Sequence, residues 1–159
     1  METRVGLGYD SHRFEKGRKL FLGGVEIPSE YGLQSNTDGD ILIHALIDAL
    51  LGAIAFKDIG RLFPEESDDF KNKRSTELLK IVVKTLKERM VDIVNIDAVV
   101  ILEKPKIAPF VEAIKENLSH ILEIDKERIN LKGKTNEKMG FVGEGVGAVA
   151  LVTVLVKVP

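Results

Sequence analysis

Asp10 and His12 stand two residues apart, and Asp40, His44 and Asp48 stand four apart. Two-residue spacing puts a carboxylate and an imidazole on the same side of a strand. Four-residue spacing draws one stripe down a helix. The helix in question is unusual, because from Ile41 to Phe56 the chain is apolar except at His44, Asp48 and Gly52. A helix apolar all round is a buried helix. Burying two carboxylates and an imidazole without partners costs several kcal/mol, so something satisfies them. Three readings stay open from these residues alone: a hydrogen-bonded histidine–aspartate pair in the core, a metal site, or a catalytic site.

Other elements have to position these groups. Arg4 to Tyr9 reads as a first strand, with Gly6 and Gly8 admitting another backbone close by. It runs directly into Asp10-Ser-His12. Lys19 to Leu22 and Val25 to Ile27 flank Gly23-Gly24, a hairpin signature. Pro28 to Gln34 reads as a connector. Thr37 followed by Asp40 resembles a capping box and predicts that the buried helix starts there. After Phe56 a charged stretch to Arg74 shows no period and reads as a loop. Ser75 or Thr76 can cap a helix whose apolar residues run from Leu78 to Met90. Ile93 to Leu102 is rich in β-branched residues and predicts a strand. Pro109 suits the first turn of a helix through Leu122, where His120 has polar neighbours and reads as a surface residue. Ile129 to Lys132 and Val146 to Val158 complete the strands. This order predicts an α+β fold, a mixed sheet with helices on one face. The glycines from Gly140 to Gly147 lead into a strand, not a helix, so they lack the context of a dinucleotide fingerprint.

The 159 residues suit one domain, 1–159, with a proper core. A net charge of −2 gives no global basic field for nucleic acid or an anionic membrane. With no cysteine, disulfides and thiolate metal sites are excluded, and a reducing compartment is consistent. The N-terminal residues lack the apolar core of a signal peptide, and the apolar run at 41–56 is too short to span a bilayer. A soluble, cytoplasmic protein is the expectation.

Five motifs follow one another in the chain. They are Gly-Tyr-Asp10-Ser-His12; Gly-Gly-Val-x-Ile-Pro28; Asp38-Gly-Asp-x-x-x-His44-Ala-x-x-Asp48-Ala-Leu-Leu-Gly52; Asp58-Ile-Gly-x-Leu-Phe-Pro64; and Thr135-x-Glu137-Lys-x-Gly-Phe141. Together they resemble the 2-C-methyl-D-erythritol 2,4-cyclodiphosphate synthases of the non-mevalonate isoprenoid pathway, over practically the whole length. The resemblance implies a phosphorus–oxygen lyase. Its substrate is a cytidine diphosphate derivative of methylerythritol whose 2-phosphate attacks the β-phosphorus, releasing cytidine monophosphate (CMP). It also implies a homotrimer around a central axis, with active sites shared between neighbours.

By that resemblance Asp10, His12 and His44 bind zinc, giving two nitrogens and one oxygen with a fourth position open to a phosphate oxygen. Asp40 or Asp48 then steadies His44. Glu137 matches the ligand of a second divalent ion, magnesium or manganese. Asn36 and Thr135 match the groups that hold the β-phosphate, with Ser11, Thr37, Lys134 and Asn136 beside them. Asp58 would bind the diol, with Ile59, Gly60, Phe63 and Pro64 around it. Glu65, Glu66 and Ser67 continue that loop. Leu102, Glu103, Lys104, Pro105, Lys106, Ile107 and Ala108 match the segment by which a neighbouring subunit frames the cytosine. Phe141 and Glu144 match positions near the trimer axis. Asn36 stands where most members have a histidine, Thr37 replaces a serine, and Glu144 replaces an arginine. Alternative readings are a zinc-dependent phosphohydrolase, or a non-catalytic trimeric module that binds metal or phosphate.

Overall fold

The computed structural model describes residues 1–64, 67–68 and 71–159. In chain order the elements begin with β1 (Glu2–Lys16), β2 (Leu20–Leu22), β3 (Val25–Ile27) and β4 (Tyr31–Leu33). The helices α1 (Ile41–Ala53), α2 (Ile59–Leu62) and α3 (Ser75–Glu88) follow. Then come β5 (Asp92–Ile101), α4 (Val111–Leu122), β6 (Ile129–Lys134), α5 (Gly140–Gly143) and β7 (Gly147–Val158). Five strands form one mixed sheet in the order β4-β1-β7-β5-β6, and β2 pairs with β3 in a separate hairpin. Among the described residues, only β5 and β6 run parallel; the other pairs in the large sheet are antiparallel. The expected α+β architecture is therefore present.

Alternation along the strands decides which face meets the helices. Opposite Gly6, Gly8, Asp10 and His12 on β1 lie Val154, Val152, Ala150 and Ala148 of β7, all buried. The same face continues through Ile96, Ala98 and Val100 of β5 and is covered by α1, whose other residues are buried and apolar around His44, Asp48 and Gly52. The opposite face is uncovered at β1, where Val5, Leu7 and Tyr9 are 70%, 65% and 53% exposed. Among the described residues, no helix is long and apolar enough to cross a membrane.

The contact between α1 and β1 is backbone against backbone. A Cβ on Gly8 would lie 1.7 Å from the Ala45 carbonyl oxygen, and one on Gly6 would lie 1.8 Å from that of Ala49. Neither position has room for a methyl group. Gly52, on the same helix, has open space around it. Gly8→Ala is thus expected to cost at least about 3 kcal/mol of stability by overpacking. Gly52→Ala should stabilise by about 0.5–1 kcal/mol through helix propensity. Chemical denaturation of the two variants checks both signs; equal effects would contradict the packing described.

Several boundaries differ from expectation. β1 extends to Lys16, because its second half pairs with β7 and then with β4. β4 lies inside the expected connector. The cap of α1 is Asp40, whose side chain accepts from Ile43 N, so the helix begins after Asp40 and not at a Thr37 box. Arg74, without a side-chain cap bond, precedes α3, and Ser75 is its first residue.

Candidate metal centre

Because α1 lies directly on β1, His44 comes over the end of the glycine-bearing strand segment. Asp10 and His12 emerge there on the same face. Asp10 Oδ2 lies 3.1 Å from His12 Nε2 and 3.1 Å from His44 Nδ1. One ligand atom from each of the three residues falls within 4.8 Å of the others. Two imidazole nitrogens and a carboxylate oxygen converging from two rigid elements form a donor set that zinc accepts. The residues present fit the ion.

The electrostatics agree with that geometry. Burial raises the Asp10 carboxyl, but the hydrogen bonds and charges of His12 and His44 outweigh it, and the net shift is downward. Burial lowers the His44 imidazole, while Asp10 and the charges of Asp40 and Asp38 raise it, with a net shift upward. The lowered carboxyl keeps Asp10 anionic and able to take a cation, while the raised imidazole holds a proton that a metal ion would displace.

The far nitrogen of His44 has partners that the sequence did not suggest. Ser75 Oγ lies 2.8 Å from His44 Nε2, and Thr37 Oγ1 lies 3.3 Å from it. Asp40 and Asp48, expected to steady His44, have their carboxylates elsewhere. Asp40 accepts from the backbone N–H groups of Gly23, Gly24 and Ile43 at 3.0, 2.7 and 3.0 Å. Asp48 accepts from Ile59 N at 2.7 Å, which ties α2 to α1. Ser75 was legible only as a helix start, since a serine before an apolar helix reads first as a cap.

Burial pushes the Asp40 carboxyl up to about 6, against its three N–H donors and with the Asp38 charge adding to the rise. Its folded value thus exceeds the unfolded value near 3.9. Its contribution to stability is full below that unfolded value and is lost as pH rises through about 6. Carboxyl-carbon NMR should show Asp40 titrating near 6; a midpoint at or below 4 would contradict this.

A cleft of about 500 Å³ opens beside the cluster. It is lined by Asp10, His12, Asn36, Thr37 and His44, with Ile59, Gly60, Phe63, Pro64 and Ser67 on the opposite wall. Lys71 also lines it, a cation that sequence reasoning did not single out. Asp58 lies outside this cleft, capping α2 through Arg61 N at 2.7 Å. Ser11 points to the other face of β1 by alternation. Glu65 and Glu66 lie outside the described residues.

The remaining expected groups form a second location. Leu102, Glu103, Pro105, Lys106, Ile107, Ala108, Lys134 and Thr135 line a separate cleft of about 530 Å³ at the ends of β5 and β6. Glu103 accepts from Asn136 N at 2.7 Å and so holds the turn that carries Glu137, itself at φ 53°. Two strands separate β1 from β6, placing these strands roughly 14 Å apart across the sheet, with one cleft beside each. Phe141 and Glu144 line neither cleft; both are exposed at α5.

Comparison with known proteins bears on these two clefts. A family model described as the YgbB family matches residues 3–157. The chain is 50% identical over 153 residues to the 2-C-methyl-D-erythritol 2,4-cyclodiphosphate synthase of Caldicellulosiruptor bescii, covering 95% of this chain and 98% of that protein. Its structure resembles Plasmodium falciparum IspF in a CDP complex with a TM-score of 0.86 and 36% identity, covering 99% of this chain and 96% of that one. It also resembles the bifunctional IspDF from Campylobacter jejuni, with a TM-score of 0.95 and 41% identity. That match spans 99% of this chain but only 43% of the bifunctional protein.

Proposed function

The chain belongs to the YgbB family, and from that premise we propose that it catalyses the cyclodiphosphate synthase reaction. In this reading 4-diphosphocytidyl-2-C-methyl-D-erythritol 2-phosphate becomes 2-C-methyl-D-erythritol 2,4-cyclodiphosphate plus CMP, a step of non-mevalonate isoprenoid synthesis. The observation that carries the reading is the convergence of Asp10, His12 and His44 at the mouth of a cleft sized for a small phosphorylated ligand.

Asp10, His12 and His44 would hold a zinc ion, and Glu137 a magnesium or manganese ion. Bound there, such cations supply Lewis-acid orientation and charge neutralisation for phosphate oxygens. The nucleophile is an oxygen of the substrate's own 2-phosphate, already anionic, so the protein needs no strong base. The new bond forms from that oxygen to the β-phosphorus, and the bond from the β-phosphorus to the oxygen bridging the α-phosphate breaks, giving CMP. What remains for the chain is to bring two anions together in line. The Asn36 amide and the hydroxyls of Thr37 and Thr135 can donate to phosphate oxygens. Lys71 adds positive charge to the same cleft. Asp58, with Ile59 and Gly60, would take the diol, and Leu102 to Ala108 would frame the cytosine.

No single copy brings these groups together, since the metal cluster and the Thr135–Glu137 turn line opposite parts of the sheet. A homotrimer with shared sites resolves this. The exposed apolar face of β1 is the surface for it, and closed symmetry suits a patch of this kind.

Phosphorus NMR of the product tests the proposal. A cyclic diphosphate with equimolar CMP is the expected result. A linear phosphate product would select a metal-dependent phosphohydrolase instead. No turnover with zinc bound would select a non-catalytic binding module.

A further inference from the structure

We propose that Ser75, anchored by Asp38, is a positioning residue that dictates which nitrogen of His44 faces the metal cluster. The proposal rests on the reading of Asp10, His12 and His44 as metal ligands.

Ser75 is fully buried at the start of α3. Its Oγ lies 2.5 Å from Asp38 Oδ1 and 2.8 Å from His44 Nε2, so one hydroxyl bridges a carboxylate and an imidazole. Asp38 is itself held firmly. Its Oδ2 accepts from Ser75 N at 2.9 Å and Arg74 Nε at 3.1 Å, and its Oδ1 accepts from Asp40 N at 3.2 Å. Burial raises this carboxyl, yet those donors outweigh burial and the net shift is downward. Asp38 is therefore an anion at neutral pH.

Counting protons then fixes the rest. A hydroxyl has one proton, and an ionised carboxylate can only accept. The Ser75 proton therefore goes to Asp38, and the Ser75 oxygen turns lone pairs toward His44. Nε2 has to be the N–H. Thr37 Oγ1, 3.3 Å from the same nitrogen, is compatible with this, because Ser35 Oγ at 3.1 Å can take its proton and leave a lone pair for Nε2. With one proton held on Nε2, a cation entering the cluster would displace the proton that Nδ1 shares with Asp10 and meet the lone pair left on Nδ1. Nδ1 is the atom aimed at Asp10 and its partner His12. The line Asp38, Ser75, His44 thus presents a ligand nitrogen to the cluster and fixes the ring by its far side. A helix that contributes nothing to the cluster itself, α3, sets the donor state of a residue on α1.

Zinc titration by calorimetry, with Zn²⁺ alone, is the direct test. Ser75→Ala keeps the backbone N–H to Asp38 and removes only the bridge. It is expected to weaken zinc binding ten- to a hundredfold, with circular dichroism and oligomeric state unchanged. Parent-like zinc affinity in a folded Ser75→Ala protein would overturn the proposal. Should that variant fail to fold, long-range proton–nitrogen NMR of the histidine-labelled, zinc-loaded parent decides. A proton on His44 Nε2 with Nδ1 metal-bound supports the relay, and zinc on Nε2 overturns it. His44→Ala separates the two levels. Unchanged zinc binding there would sink the ligand assignment itself, whereas loss there with no loss in Ser75→Ala would sink only the relay.

Discussion

His44→Ala is expected to lose bound zinc and to lower the rate of CMP release by at least about a thousandfold, equivalent to about 4 kcal/mol of transition-state stabilisation. The fold should survive it. Alanine favours helix, and the residues flanking His44 on α1 are buried apolar groups that keep their packing. What disappears is the only ligand that α1 contributes to the cluster among the described residues. Asp10 and His12 alone offer one oxygen and one nitrogen from a single strand, and water replaces an imidazole poorly. Elemental analysis of the purified variant, paired with a CMP-release assay, gives both readouts on one sample. Full zinc content with a parent-like rate would show that the cluster is a structural ion pair.

Under the proposed trimeric assembly, Leu7→Asp should leave a monomer and take activity with it, lowering the rate at least about a hundredfold. In an isolated chain this residue is 65% exposed, so a carboxylate there disturbs nothing. In a threefold assembly packed through β1 the same carboxylate is desolvated in every copy with no partner, at several kcal/mol each. Sedimentation velocity should show a monomer whose circular dichroism matches the parent. The lost activity follows from the two separated clefts, since a lone copy carries the metal cluster in one and Thr135 in the other. An intact trimer, or an active monomer, would refute the shared-site assembly.

How much of this was legible beforehand differs from element to element. The buried helix announced itself, because an apolar run interrupted at four-residue spacing has few other meanings. Asp10 and His12 were legible as a same-side pair, but their distance to His44 depends on the pairing of β1 and on two glycines. Spacing along the chain cannot express that distance. β1 was read too short because Ser11, Arg13, Glu15 and Lys16 are polar; pairing with β7 and β4, not side-chain character, keeps that half extended. Thr37 passed for the cap because both it and Asp40 are capping residues, and only the helix geometry chooses between them. Ser75 was out of reach for a related reason. Its role depends on a buried carboxylate 37 positions earlier, and no local pattern links the two.

The glycine seam between β1 and α1 has one more consequence. Two main chains rest against each other there with no side chains between them, so the separation of Asp10 and His12 from His44 is set by peptide geometry. Substitution elsewhere in the apolar interior can loosen or tighten the protein without moving that separation. Tolerance to drift and fidelity of the donor set are thereby uncoupled. A lineage could exchange Ile47, Leu50 or Val152 for other aliphatic residues over many generations and still present the same three atoms to an incoming ion.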